Sequence, residues 1–119
     1  MQIGVETAKA VDQRRVFVVD EDEIIRAALQ FMLHDEIETH ELGSLEEAYA
    51  KGQGWLAPDV ILLGVSIVAA RGVEVVTQII DRYPAVRILI VTGKDDEATA
   101  IAALKAGAHG ALVKPLTLE

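Results

Sequence analysis

Three uninterrupted apolar runs constrain this chain more than any other feature: Val16-Phe17-Val18-Val19, Val60-Ile61-Leu62-Leu63 and Ile88-Leu89-Ile90-Val91. A strand with one wet face alternates apolar and polar residues. A run without alternation reads as a strand buried on both faces, as in a parallel sheet covered by helices above and below. The segments between the runs have helical period. After the first, Asp20, Glu21 and Asp22 precede Ile25, Ala28, Leu29 and Met32 on one helical face, and acidic residues there suit the positive end of the helix dipole. Ile37 to Leu42 mixes polar and apolar residues like an edge strand, closed by Gly43. Ser44 with Glu47 predicts a capping box for a short helix ending near Gly52. Gly52-Gln53-Gly54 neither follows a strand nor opens a helix, so it carries no dinucleotide reading.

After the second run a loop is expected from Gly64 to Arg71. A helix bearing Val73, Val76, Ile80 and Tyr83 follows and is stopped by Pro84. Thr92-Gly93 break the third run. Lys94 to Ala106 predicts an alanine-rich helix with Asp95, Asp96 and Glu97 in its first turn and Gly107 past its end. Ala111-Leu112-Val113 is a last short strand before Lys114-Pro115. Strands alternating with helices imply right-handed crossovers. Five strands with four helices between them predict an α/β, flavodoxin-like three-layer sandwich with a parallel sheet in the order 2-1-3-4-5. Residues 15–119 form its single domain, behind an N-terminal extension, 1–14.

Composition removes several function classes. No apolar run approaches the ~20 residues of a membrane helix, and Met1 to Arg14 lacks the hydrophobic core of a secretory signal. There is no cysteine, which excludes disulfides, thiol catalysis and thiolate metal sites and is compatible with the cytoplasm. The net charge of −8 argues against direct nucleic-acid contact by this domain. His34, His40 and His109 are scattered, without metal-site spacing.

In an open parallel sheet the binding crevice lies beyond the carboxyl ends of the strands, at the topological switch point. Asp20 and Glu21 follow the first strand, Gly64 the third, Thr92 the fourth and Lys114 the fifth. Two carboxylates, a hydroxyl and an ammonium on one rim suit a hard cation and a phosphoryl group.

These segments resemble the receiver domain of two-component response regulators. Val19-Asp20-Glu21-Asp22 with Arg26 is similar to that family's acidic pair, and Pro58-Asp59-Val60-Ile61-Leu62-Leu63 to the approach to its phosphorylation site. Gly72 stands at the family's glycine. Ile90-Val91-Thr92-Gly93 resembles the strand ending in the switch hydroxyl, and Ala106 to Pro115 the closing lysine-proline segment. The resemblance runs from about Arg15 to Pro115. It implies a non-enzymatic signalling module with a protein partner or attached output domain, and Thr92 and Lys114 as phosphate-site residues.

The departures are as informative. The phosphoacceptor aspartate implied by the resemblance is replaced by Gly64, and Asp59 is about 17 Å away at the other end of the strand. Val68 stands where the family's loop proline belongs, and Ala111 replaces the switch aromatic. Together these changes point to a pseudo-receiver that works without phosphorylation. Its alternatives are a phosphotransfer-competent receiver whose acceptor was substituted, and a small-molecule-binding flavodoxin-like domain. No cofactor is required on this reading. Mg²⁺ at Asp20 and Glu21 is expected to be weak or absent, because one charged ligand is missing. Leu116 to Glu119 is too short for the family's fifth helix, which leaves an apolar strip of sheet expected to favour association. That strip and the alanine-rich helix around Ile101 and Leu104 are the surfaces expected to support a homodimer or a docked partner.

Overall fold

The computed structural model describes residues 12–113. Strands β1 (Asp12–Val19), β2 (Ile37–Leu42), β3 (Val60–Gly64), β4 (Arg87–Thr92) and β5 (Gly110–Val113) form one parallel sheet in the order β2-β1-β3-β4-β5, as expected. The helices are α1 (Glu23–Leu33), α2 (Leu45–Lys51), α3 (Val65–Arg71), α4 (Glu74–Arg82) and α5 (Glu97–Lys105), with 3₁₀ turns at Gly54–Leu56 and Lys94–Asp96.

The unbroken runs serve both faces of the sheet. Phe17, Val19, Ile61, Leu63, Ile88 and Ile90 point into a large core closed by α2, α3, α4 and α5. Val16, Val18, Leu62 and Val91 point the other way, where Leu29 of α1 meets them. Alternate residues of a strand face opposite sides, so a run can be apolar throughout only when both sides are covered.

Local chemistry sets the ends of the elements. Asp22 caps α1, its Oδ1 accepting from the N–H of Ile24 at 2.9 Å and of Ile25 at 3.3 Å. Ser44 Oγ accepts from Glu47 N at 3.2 Å, and Glu47 Oε1 accepts from Gly43 N at 2.9 Å. This is the predicted capping box, with its return bond displaced by one residue. Arg71 and Glu46 form an ion pair that ties α3 to α2. No helix among the described residues is long and apolar enough to cross a membrane.

Three expectations need correction. The segment after Gly64, expected as a loop, is helix α3 with Val65, Ile67 and Val68 buried. No proline or glycine lies between Val65 and Arg71 to break it, and Gly72, at φ 91, ends it. Met32, expected on the core face of α1, is 52% exposed. Finally, β1 begins at Asp12, inside the segment read as an extension, with an irregular register between Asp12 and Arg15.

On the α1 side a groove of about 340 Å³ opens beside the helix, lined by Val16, Leu29, Leu33, Leu62, Leu89 and Leu112 among others. Residues 114–119, where the question of a fifth helix falls, lie outside the described residues.

Candidate functional site

The β1–β3 register pairs Val19 with Leu63, so Asp20 and Gly64 leave the sheet side by side. Gly64 pairs with Val91 on β4, which puts Thr92 one step beyond it on the same rim. Thr92 in turn pairs with Val113 on β5. The rim therefore gathers Asp20, Gly64 and Thr92 as expected, while Lys114 lies outside the described residues.

Asp20 is buried, at 4% exposure, and held on several sides. Its Oδ1 accepts from Asp22 N at 2.9 Å, its N–H donates to Leu42 O at 3.2 Å, and its carbonyl accepts from Arg26 Nη1 at 3.0 Å. The carboxylate lies over the α-carbon of Gly64. A Cβ placed on Gly64 would stand 2.5 Å from Asp20 Oδ2, 2.6 Å from Cγ and 2.9 Å from Oδ1. Gly64 has φ −64 and ψ 137, extended backbone open to any residue. The backbone admits any residue at this position, but a side chain there would oblige the Asp20 carboxylate to shift. Asp20 has taken the volume an acceptor side chain would need.

Sequence reasoning missed this contact. The signal was available: in a 2-1-3 sheet the residues ending the first and third strands are neighbours, and a glycine beside a carboxylate leaves room for that carboxylate to fold in.

The other predicted site residues divide. Thr92 is buried, and its hydroxyl donates to Gly93 O at 3.1 Å, so it does not cap the following helix. Glu21 is exposed. Asp59 lies at the far end of β3, where Oδ2 accepts from Arg15 N at 2.7 Å and the carbonyl accepts from Arg87 N at 3.0 Å. It is a clamp between strands.

The arrangement fits a receiver's divalent cation poorly. Asp20 is the one buried carboxylate of the pair, and one of its oxygens already serves a backbone N–H. The resemblance to receivers implies a further ligand in the backbone carbonyl two residues beyond Gly64, that of Ser66, which lies in the first turn of α3. A helical carbonyl turns along the axis toward the N–H four residues on. Among the described residues no group of three or more His, Asp or Glu side chains could hold a metal ion.

At the opposite rim Arg15 Nε binds Glu38 Oε2 at 2.6 Å, and His40 Nε2 lies 2.7 Å from the same oxygen. Hydrogen bonds from Arg15, then His40, hold the Glu38 carboxyl down at about 2.

The response regulator receiver domain family matches residues 16–119. The chain is 33% identical over 105 residues to the DNA-binding transcriptional activator DevR/DosR of Mycobacterium tuberculosis, covering 86% of this chain and 48% of that protein. It is 30% identical over 110 residues to the transcriptional regulatory protein LnrK of Bacillus subtilis, covering 88% and 49%. It thus spans about half the length of these relatives. Among solved structures, the receiver domain of NtrX from Brucella abortus superposes with a TM-score of 0.75 at 26% identity, covering 86% of this chain and 87% of that one. A receiver domain protein from Clostridium thermocellum gives 0.73 at 26% identity, covering 87% and 84%. The chain belongs to the response regulator receiver domain family.

Proposed function

We propose that this receiver domain signals without being phosphorylated, through protein contacts with a partner or an attached output domain. The observation that carries the reading is the Asp20 carboxylate packed over Gly64, in the volume an acceptor aspartate would occupy. Ala111 adds to it, since the strand that would present a switch aromatic carries a methyl group there. With no phosphate to draw Thr92 inward and no ring to follow, the domain holds one state. A ligand with no differential affinity for two states shifts nothing. Partners therefore read a fixed surface.

No cofactor is needed on this reading. Mg²⁺ binds more weakly than about millimolar, the weak end of carboxylate-built sites. The domain acts in the cytoplasm. One relative is by name a DNA-binding activator. With a net charge of −8, we assign any DNA contact of the whole protein to a part outside this domain.

Amide NMR spectra test the reading. Adding acetyl phosphate and Mg²⁺ should leave the resonances of Thr92, Ala111 and α5 in place. Displacement of those signals together would show that a switch survives and would defeat the proposal.

A further inference from the structure

Helix α1 is apolar over more of its circumference than the sheet covers. Leu29 faces the strands, with Ile25 and Leu33 beside it. The other side carries Ile24 at 77% exposure and Phe31 at 75%, with Ala27 exposed and Ala28 half-buried between them. Positions 24, 27, 28 and 31 have the i, i+3, i+4, i+7 spacing by which a helix presents one apolar face for burial. Met32, 52% exposed, continues that face toward the groove beside α1.

We propose that a second copy of this chain docks on this strip, the two α1 helices crossing antiparallel about a twofold axis between Ala27 and Ala28. Self-complementarity selects that occupant. A twofold interface uses the same patch on both copies. An axis at this place sets Ile24 of one copy against Phe31 of the other, and Ala27 against Ala28. The small residues fall where the axes must come closest, and the large ones fill the space as the helices diverge. Area agrees. Ile24, Phe31 and Met32 each offer roughly 100 Å² of apolar surface. With their surroundings two copies bury about 1,000 Å², the lower bound of a specific interface. The dimer is therefore weak, with Kd of about 10–100 µM. Charge opposes it: Glu21 and Glu23 at one end approach Asp35 and Glu36 at the other, with only His34 between. Salt should tighten the dimer by screening those carboxylates.

The inference builds on the reading of the domain as a phosphate-independent contact module. An acyl phosphate would defeat that reading and leave the oligomeric state to be judged separately. Sedimentation equilibrium of the full chain from about 1 µM to about 1 mM, at low and high salt, brackets that range. A dimer strengthened by salt is expected. Ile24→Lys or Phe31→Glu alone should weaken it at least about tenfold. Combining them in one chain should restore association, because the axis sets each new ammonium against the other copy's new carboxylate. Within one chain the two positions are about 10 Å apart along the helix, too far to pair. The chain has no cysteine, so Ala27→Cys should give a single disulfide-linked dimer on mild oxidation. These positions are exposed, and unchanged thermal melts will show that the variants fold. A monomer throughout the range, a dimer indifferent to Phe31→Glu, or one broken instead by Ile101→Glu and Leu104→Glu on α5 would each overturn the proposal.

Discussion

Where β1 and β3 begin, Arg15 is committed through nearly every group it has. Its Nε meets Glu38, its Nη1 donates to Trp55 O at 2.9 Å and Ala57 O at 3.3 Å, and its backbone N–H donates to Asp59. Where the same strands end, Arg26 is only partly served. Its Nη1 reaches the Asp20 carbonyl, but its buried Nε has no hydrogen-bond partner, and Glu41 stands 3.7 Å away. A buried donor left unsatisfied costs about 1–3 kcal/mol. One rim of the sheet is built as scaffold. At the other, Gly64 has no side chain and the Asp20 carboxylate lies over it. Among the described residues each rim keeps one buried polar atom without a hydrogen-bond partner, Arg26 Nε here and Tyr83 Oη beside Gly52 at the first.

Restoring a side chain at the looser rim should have the largest effect. Gly64→Asp places Cβ within 2.5 Å of Asp20 and adds a second carboxylate beside a buried one. We expect a loss of about 3 kcal/mol in urea unfolding, since overpacking alone costs about 1–3. An unchanged midpoint would mean Asp20 moves aside freely and the two rims are equally well settled. The coupling can be isolated. Asp20→Ala alone should cost about 1–2 kcal/mol by leaving the Asp22 N–H without its acceptor. In the Gly64→Asp background the same change should recover at least about 1 kcal/mol, the size of coupling expected of side chains in contact.

Much of this molecule was legible in its sequence, and the limits have physical causes. Unbroken apolar runs mean burial on both faces, so the three central strands followed from three four-residue segments, and the order of all five from their alternation with helices. The site's members followed from the ends of those strands. Helix α3 was missed because seven residues between a strand and a glycine are too short a window for a helical period to show. No proline interrupts it, and burial of Val65, Ile67 and Val68 favours the helix. The inward turn of Asp20 was missed because it depends on a void, which belongs to no residue's propensity. The exposure of Met32 was missed because periodicity shows how many faces a helix can bury, not how many the fold covers.

At the tighter rim smaller effects are expected. Asp59→Ala removes the acceptor for Arg15 N and should cost about 1 kcal/mol, measured by thermal or urea unfolding. A loss above that for Asp20→Ala would reverse the ranking of the rims. The smallest effect is one of pH. Glu38 is held at about 2 against an ordinary 4.5, so the ion-paired form favours the fold. That contribution is complete above about pH 4.5 and fades as pH falls toward 2. Because Glu38 is largely exposed, screening keeps it small. Glu38→Gln should flatten the stability profile across that window, its small loss fully present near neutrality and vanishing toward pH 2.

The most direct test of the account is the intact mass of the unmodified chain after incubation with acetyl phosphate and Mg²⁺. With Gly64 at the acceptor position and the Asp20 carboxylate filling the space above it, the mass should be unchanged. A stoichiometric, hydroxylamine-labile phosphoryl adduct would show that another carboxylate accepts the phosphoryl group, and would contradict the claim that this receiver works without one.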